Sequence, residues 1–403
     1  MQTNGRHQGV VDLNAHRRRQ QRQNQQRAME KPDNKIVIRE FDHIILVCTF
    51  LLVGFGLVMV FSASSYAAMH NSDPNITMYS LFIQQATAAA FGLFVMVLAA
   101  TFSYDFVARF TVLLYPLSIA LLLAVLVTPW GVEHNGALRW LSIGGFNLQP
   151  SELAKVSVTL ALATYISKDP NRANSLKGLL ICAIIVALPV ILVALGRNLS
   201  TVIILCAMAF IIIFLASPHF WRFVAIAVAG AGGIVAFLIL GEGFRQARIS
   251  AWLDPFAYPL GVGFQTIQSL YAVASGGLFG LGLGNSNQKL YYMSEAQNDF
   301  IFAIIVEELG LFGGGIVLLL FGILIWRGVM AAINCKTLLG SLIATGFLTM
   351  VAVQVIINVG VVTNTIPNTG IPLPFISFGG TSLVVMMGAM GMLMSVSRHK
   401  NKS

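Results

Sequence analysis

The sequence predicts an all-α polytopic membrane protein, a helical bundle of ten transmembrane helices with a large extracytoplasmic loop. Three observations predict it. Of 403 residues, 56% are apolar and only 10% are charged, against about 25% charged in soluble globular proteins. The mean hydropathy is +0.77. Apolar runs recur that reach the roughly 20 residues a helix needs to cross a hydrocarbon core of about 30 Å. A water-exposed surface cannot be built from this composition, which excludes soluble enzymes, secreted disulfide scaffolds and nucleic-acid-binding domains. The runs are too long and too continuous for strands, and lipid leaves backbone groups no partner but their own helix.

Residues 1–42 come first. They hold nine of the 25 Lys and Arg residues, including Arg17, Arg18 and Arg19, among Gln and Asn. Such a stretch cannot bury enough apolar surface to fold, so a disordered basic cytoplasmic tail is expected near anionic lipid. The membrane domain, 43–397, follows. Its ten expected spans are 43–64, 81–102, 107–129, 151–167, 177–196, 199–217, 219–240, 300–326, 339–362 and 376–397. The first is not a signal peptide despite Ser62-Ala63-Ser64-Ser65, because its n-region would be far too long. Residues 398–403 form a short cytoplasmic tail. Ten spans place both termini on one side with nineteen Lys and Arg and leave six on the other. The positive-inside rule makes the first side cytoplasmic.

The four cysteines, Cys48, Cys182, Cys206 and Cys335, show no Cys-x-x-Cys spacing, so neither zinc nor a disulfide framework is indicated. The acids are more informative, because most of those beyond the tail fall on the outer side. Residues 241–299 form the outer loop, without obvious helix or strand pattern but too aromatic and too rich in glycine for disorder. It is expected to fold against the outer membrane face. Its run Gly276-Gly277-Leu278-Phe279-Gly280-Leu281-Gly282-Leu283-Gly284 lacks the Walker lysine and a preceding strand, so tight turns or close backbone approach explain it better than a nucleotide.

Four constellations carry candidate chemistry. In the first, Arg139-Trp140 precedes Gln149-Pro150-Ser151-Glu152, with Lys155 one helical turn on. Pro150 suits the first turn of a helix, and Glu152 and Lys155 share a face. They read either as a structural ion pair or as a polar groove for an anionic headgroup, with Arg139 on its phosphate. In the second, Arg245 and Arg248 present two guanidinium forks, suited to a diphosphate or to snorkelling towards lipid phosphate. In the third, Glu295-Ala296-Gln297-Asn298-Asp299 leads into a span that carries Glu307 and Glu308. Asp299 suits a helix N-cap, a general base or a cation ligand. Glu307 lies about 12 Å deeper, where ionisable groups are functional candidates. Only one of Glu307 and Glu308 can share a groove with Asp299, because they stand about 100° apart. In the fourth, Pro372-Leu373-Pro374-Phe375-Ile376-Ser377 breaks helix beside Gly379-Gly380, as expected of a cavity wall.

These motifs together resemble the SEDS family of polytopic peptidoglycan glycosyltransferases over about residues 40–397. The tail, Ser62-Ala63-Ser64-Ser65 and Ala296-Gln297-Asn298-Asp299 look more like its FtsW division branch than its RodA elongation branch, and the SpoVE sporulation branch is close. The resemblance implies polymerisation of lipid II at the outer face of the bacterial cytoplasmic membrane, at the division septum. Asp299 is then the catalytic carboxylate and a candidate metal ligand. Arg139, Glu152, Lys155, Arg245, Arg248, Gln297, Glu307 and Ser377 are the substrate-binding candidates. A divalent cation, Mg2+ or Mn2+, is implied, with no organic cofactor. So are a class B penicillin-binding transpeptidase and other division proteins as partners. One departure stands out: Gly196-Arg197-Asn198-Leu199-Ser200-Thr201 replaces a Pro-Asp-Leu-Gly-Thr motif, so no role of that acid transfers. A lipid II flippase and a non-catalytic scaffold are the competing readings.

Overall fold

The computed structural model describes residues 41–70, 78–134, 137–144, 146–217, 219, 244–261, 263–291 and 297–398. The tail 1–40 and the expected span 219–240 lie outside them, as do Glu295 and Ala296. So do the side chains of Arg245 and Arg248.

The helices are α1 (His43–His70), α2 (Met78–Thr101), α3 (Tyr104–Arg109), α4 (Thr111–Val127), α5 (Pro150–Ser167), α6 (Leu176–Leu195) and α7 (Leu199–Ala216). They continue as α8 (Phe244–Leu253), α9 (Phe264–Gly276), α10 (Asn287–Tyr291), α11 (Ile301–Ile333), α12 (Leu338–Val362) and α13 (Gly380–Arg398). Among the described residues, seven are long and apolar enough to cross a membrane: α1, α2, α6, α7, α11, α12 and α13. The expected span 107–129 divides into α3 and the 17-residue α4. The expected span 151–167 is α5, which Pro150 opens and which carries Glu152 and Lys155 in its first two turns.

Local chemistry explains where helices begin. Ser103, Ser175, Asn198 and Thr337 each accept a backbone N–H at a helix start, satisfying one of the orphan donors there. Within the bundle, α12 and α13 are the central helices, 78% and 72% buried, whereas α2 and α6 are 22% and 28% buried. The peripheral helices present Phe50, Ile83, Phe91, Phe94 and Ile184 outward. Only lipid makes such a surface stable.

Two segments depart from expectation. Residues 131–148, between the expected spans 107–129 and 151–167, form a three-stranded antiparallel sheet in the order β1 (Gly131–His134), β2 (Ala137–Ile143), β3 (Phe146–Leu148). Leu141 pairs with both Gly131 and Leu148. These strands are too short for periodicity to reveal. The loop 241–299 is not patternless, since it carries α8, α9 and α10. It is tied to α12 and the turn after it. Ser269 donates to the carbonyl of Val362 at 2.9 Å, and Trp252 and Asn364 exchange side-chain to backbone bonds at 3.0 and 3.2 Å.

α11 extends to Ile333 and is broken at Gly310, whose φ of 73° leaves the helical region. The glycine-rich run repairs the break. The N–H groups of Leu281 and Gly282 donate to the carbonyls of Glu307 and Glu308, and those of Leu311 and Phe312 donate to Gly277 and Leu278. Broken backbone at membrane depth needs such partners. A Cβ on Gly280 would collide with the Glu308 carbonyl, so the glycines do serve close approach.

The two ends of the bundle are chemically distinct. At one, Arg327 near the foot of α11 binds Asp42 through Nε at 3.1 Å, and the Asp42 N–H donates to Ser397 at 3.0 Å. The start of α1 and the end of α13 therefore lie on the same side, as the charge distribution requires. The start of α11, the turn holding Asp299 and the loop 363–379 lie at the opposite end.

Candidate functional site

Asp299 sits in the turn before α11, with Phe300 rather than Asp299 at the cap position. Its carbonyl accepts from Nδ2 of Asn358 at 2.8 Å, and the same Nδ2 donates to the carbonyl of Ile371 at 2.8 Å. Asn358 is buried in α12 and fixes the two chain segments that flank the carboxylate. Two neighbours of Asp299 are fastened as well. The Asn298 carbonyl accepts from Ser377 Oγ at 2.7 Å, and the Gln297 carbonyl accepts from the Phe378 N–H at 2.9 Å. Gln85 of α2 completes the clamp, donating to the Ser377 carbonyl at 3.2 Å and accepting from Gly379 at 3.1 Å. That clamp delays the start of α13 to Gly380, four residues beyond the expected Ile376.

Gly370 brings the carboxylate and Arg139 together. A Cβ at this position would lie 3.0 Å from Oδ2 of Asp299 and 4.0 Å from Nη1 of Arg139. Its φ is 68°, a conformation glycine adopts without strain. Arg139 arrives on β2 from the sheet. Burial pushes its guanidinium below the usual arginine range, and the nearby Asp299 charge pulls it back up. Both groups line a cavity of about 510 Å3. Its other walls include Trp140 and Asn147 of the sheet, Gln84 of α2, Pro372, Leu373 and Phe375, and Ser382 with Leu383 of α13. Phe375 holds a φ of 63° there, a strained setting that clusters at functional sites. Since Gln84 and Leu383 belong to membrane-length helices, the cavity reaches from the polar sheet into the apolar girdle. Its volume is that of a small-molecule pocket, enough for sugar rings and too small for a whole lipid-linked glycopeptide.

The remaining expected residues separate into three groups. Glu152 and Lys155 form a buried ion pair at 2.9 Å, beneath Arg139 in a smaller cavity of about 30 Å3. Ser377 lines the main cavity, yet its hydroxyl is committed to Asn298 and to the Leu373 N–H at 2.8 Å. The Ser377 hydroxyl and the Gln297 carbonyl thus fasten the loop 373–378 to the turn that holds Asp299.

Glu307 was expected in the groove with Asp299, and the structure places it elsewhere. It is fully buried, accepts from Ser286 and from the N–H groups of Asn287 and Gln288 at 3.1 and 3.3 Å, and thereby caps α10. Glu308 binds Lys289 at 2.5 Å and Ser62 at 2.8 Å. Both carboxylates lie within one turn before the break at Gly310, where the glycine-rich run packs against α11. Arg245 and Arg248 lie on α8, with side chains outside the described residues. Asn198, in the segment that departs from the acidic motif, accepts from the Thr201 N–H at 3.3 Å and so performs the capping that an aspartate would.

Asn358, Gln85 and Gly370 were not foreseen. A buried amide in an apolar helix was the available signal for the first two, since such groups must find partners.

For a divalent cation, the donor set is lean. Among the described residues no group of three or more His, Cys, Asp or Glu could hold a metal. Asp299 is the one carboxylate among the residues lining the cavity. That set fits Mg2+ or Mn2+ in the manner of ions held by one carboxylate plus substrate phosphates and water.

Comparison with known proteins bears on all of this. Residues 42–402 match the family described as Cell cycle protein, FTSW_RODA_SPOVE. Stage V sporulation protein E of Bacillus subtilis is 39% identical over 359 residues, covering 89% of this chain and 97% of that protein. The probable peptidoglycan glycosyltransferase FtsW of Thioalkalivibrio sulfidiphilus is 38% identical over 357 residues, covering 87% and 88%. A solved chain from "Structural coordination of polymerization and crosslinking by a peptidoglycan synthase complex" superposes with a TM-score of 0.73 at 26% identity, covering 89% of this chain and 98% of that one. With its apolar helices, the chain is an integral membrane protein of a bacterium, and it belongs to the FtsW/RodA/SpoVE family.

Proposed function

We propose that this protein is a peptidoglycan glycosyltransferase that polymerises lipid II. The observation that carries the reading is a single ionisable pair, Asp299 and Arg139, held by buried amides in the wall of a cavity at the end of the bundle remote from Asp42 and Ser397. The charge distribution makes that end extracytoplasmic. There the sugar headgroup is presented while its lipid tail remains in the girdle.

The chemistry is the one that the family resemblance implies. A sugar 4-hydroxyl attacks the anomeric carbon of a second lipid-linked sugar, the C–O bond to the diphosphate breaks, and undecaprenyl diphosphate leaves with the bonding electrons. The hydroxyl proton passes to the carboxylate of Asp299. The hydroxyl grows acidic as its bond to carbon forms, so the Asp299 carboxylate in the cavity wall serves as its base. Arg139 offers charge and a planar fork to the departing phosphate oxygens. Arg245 and Arg248 are further candidates for that role. Asp299 would hold Mg2+ or Mn2+ together with the diphosphate, and the ion would offset the charge that develops on the leaving group. A class B transpeptidase and other division proteins are the proposed partners, with the division septum as the location. The basic tail and Ala296-Gln297-Asn298-Asp299 support the division branch.

The test is glycan polymer formed from lipid II by the purified protein with its transpeptidase. Asp299→Asn should abolish polymer while leaving the protein monodisperse and folded. Arg139→Lys should retain more activity than Arg139→Ala, since one charge survives without the fork. Polymer from Asp299→Asn at the wild-type rate would remove the assignment. Chelation by EDTA should suppress polymerisation, and either Mg2+ or Mn2+ should restore it.

The flippase reading needs ionisable groups lining a path through mid-membrane. Glu307 and Glu308 are instead held by local partners, and Glu152 is ion-paired through one oxygen with Lys155, which favours the enzyme.

A further inference from the structure

Beneath the catalytic cavity lies the second one, of about 30 Å3. Arg139, Gln149, Gly370 and Pro372 line both, so they form the partition. The lower chamber is polar in an unusual way. Gln354 of α12 is only 1% exposed, and neither its Oε1 nor its Nε2 has a hydrogen-bond partner. Oε2 of Glu152 and Nε of Arg139 are likewise buried without partners. All three residues line the same chamber. Orphaned buried polar atoms are costly, and several converging on one chamber call for a shared ligand.

The charges identify that ligand. Glu152 is neutralised by Lys155, and Arg139 is offset by Asp299, so an added cation or anion would be uncompensated. The orphans comprise both donors and acceptors, and the volume holds about two water molecules. We propose that the chamber binds ordered water held by Gln354, Glu152 and Nε of Arg139, and that Gln354 is thereby a positioning residue for the Arg139–Asp299 pair. The positioning role rests on the glycosyltransferase reading; the water site does not.

Hydroxyl-radical footprinting by water radiolysis, on the full-length chain in lipid nanodiscs, tests the site itself. Ile204 and Ile371 line the chamber and are 2% and 3% exposed. Both should be oxidised by radicals born on adjacent bound water. Ile212, equally buried and away from the chamber, should not. Labelling of Ile204 and Ile371 no greater than that of Ile212 would overturn the water site.

Kinetics on lipid II then test the positioning role. Gln354→Leu should lower kcat about tenfold, with KM changed by less than about twofold, and should abolish labelling at Ile204. Gln354→Asn should keep most of kcat, since its amide remains and water fills the missing methylene. Full kcat in Gln354→Leu, or equal loss in both variants, would overturn the role. If Gln354→Leu does not fold, the wild-type footprint and Gln354→Asn still decide. A wild-type chain that makes no polymer would fail the enzymatic reading and leave the footprint to decide the water site alone.

Discussion

Four acids show how strongly a neighbour decides what a carboxylate can do. Asp299, Glu152, Glu307 and Glu308 are all at or near membrane depth, and each is an expensive group to desolvate. Glu152 and Glu308 have a lysine within 2.9 and 2.5 Å, and Glu307 caps a helix. Asp299 alone among them lines the large cavity. Its exposure was legible in the sequence as a carboxylate where loop meets span. Gly370 was not, because its importance is a contact across 71 residues of chain. The consequence is testable. Gly370→Ala places a methyl group 3.0 Å from Oδ2 of Asp299 and strains a backbone φ of 68°, at a cost of about 1–3 kcal/mol. Polymerase activity should fall well below wild type, while size-exclusion behaviour in detergent stays normal. Unchanged activity would show that this contact does not set the carboxylate.

At the scale of elements, the broken helix α11 and the run 276–284 are one unit, since each supplies the backbone partners the other lacks. Two glycines separate the possible reasons for the run. Gly280 has no room for a Cβ beside the Glu308 carbonyl, whereas nothing lies within 4 Å of a Cβ on Gly277. Both have positive φ, 78° and 53°. Gly277→Ala meets no atom and should cost only the backbone strain of φ 53° and ψ −144°, about 1–3 kcal/mol. Gly280→Ala must displace backbone and should prevent accumulation of folded protein. Thermal unfolding monitored by tryptophan fluorescence distinguishes the two, and equal melting temperatures would contradict a packed glycine interface. Ser62, noted in the sequence only as part of Ser62-Ala63-Ser64-Ser65, belongs to the same unit through Glu308 and Lys289.

For the whole molecule, the decisive fact is polarity along the bundle axis. The Asp42–Arg327–Ser397 cluster marks one end and the sheet with Asp299 the other. In a variant lacking its native cysteines, Asn147→Cys should react with a membrane-impermeant thiol reagent added outside intact spheroplasts. Lys336→Cys, near the Arg327 end, should react only after permeabilisation. The reverse pattern would turn the site toward the cytoplasm and remove access to an extracytoplasmic substrate. Across that axis runs the burial gradient, with α12 enclosed and α2 at the periphery.

The amino-acid sequence by itself determined the solvent and therefore the architecture. Chains that are 56% apolar and 10% charged must place helices in lipid, because no other structure satisfies the backbone there. Short-range chemistry was equally readable: Pro150 opening α5, the Glu152–Lys155 pair one turn apart, glycines at a close approach. Only the tertiary structure decided what each polar face meets. Glu307 and Asp299 lie eight residues apart yet serve an anchored loop and an open cavity, since the unbroken first turns of α11 carry Glu307 about 12 Å along the axis from the turn that holds Asp299. Asn358 and Gln85 lie on two stretches of apolar sequence. Helical periodicity says which way such a side chain turns, but its partner comes from a segment tens to hundreds of residues away.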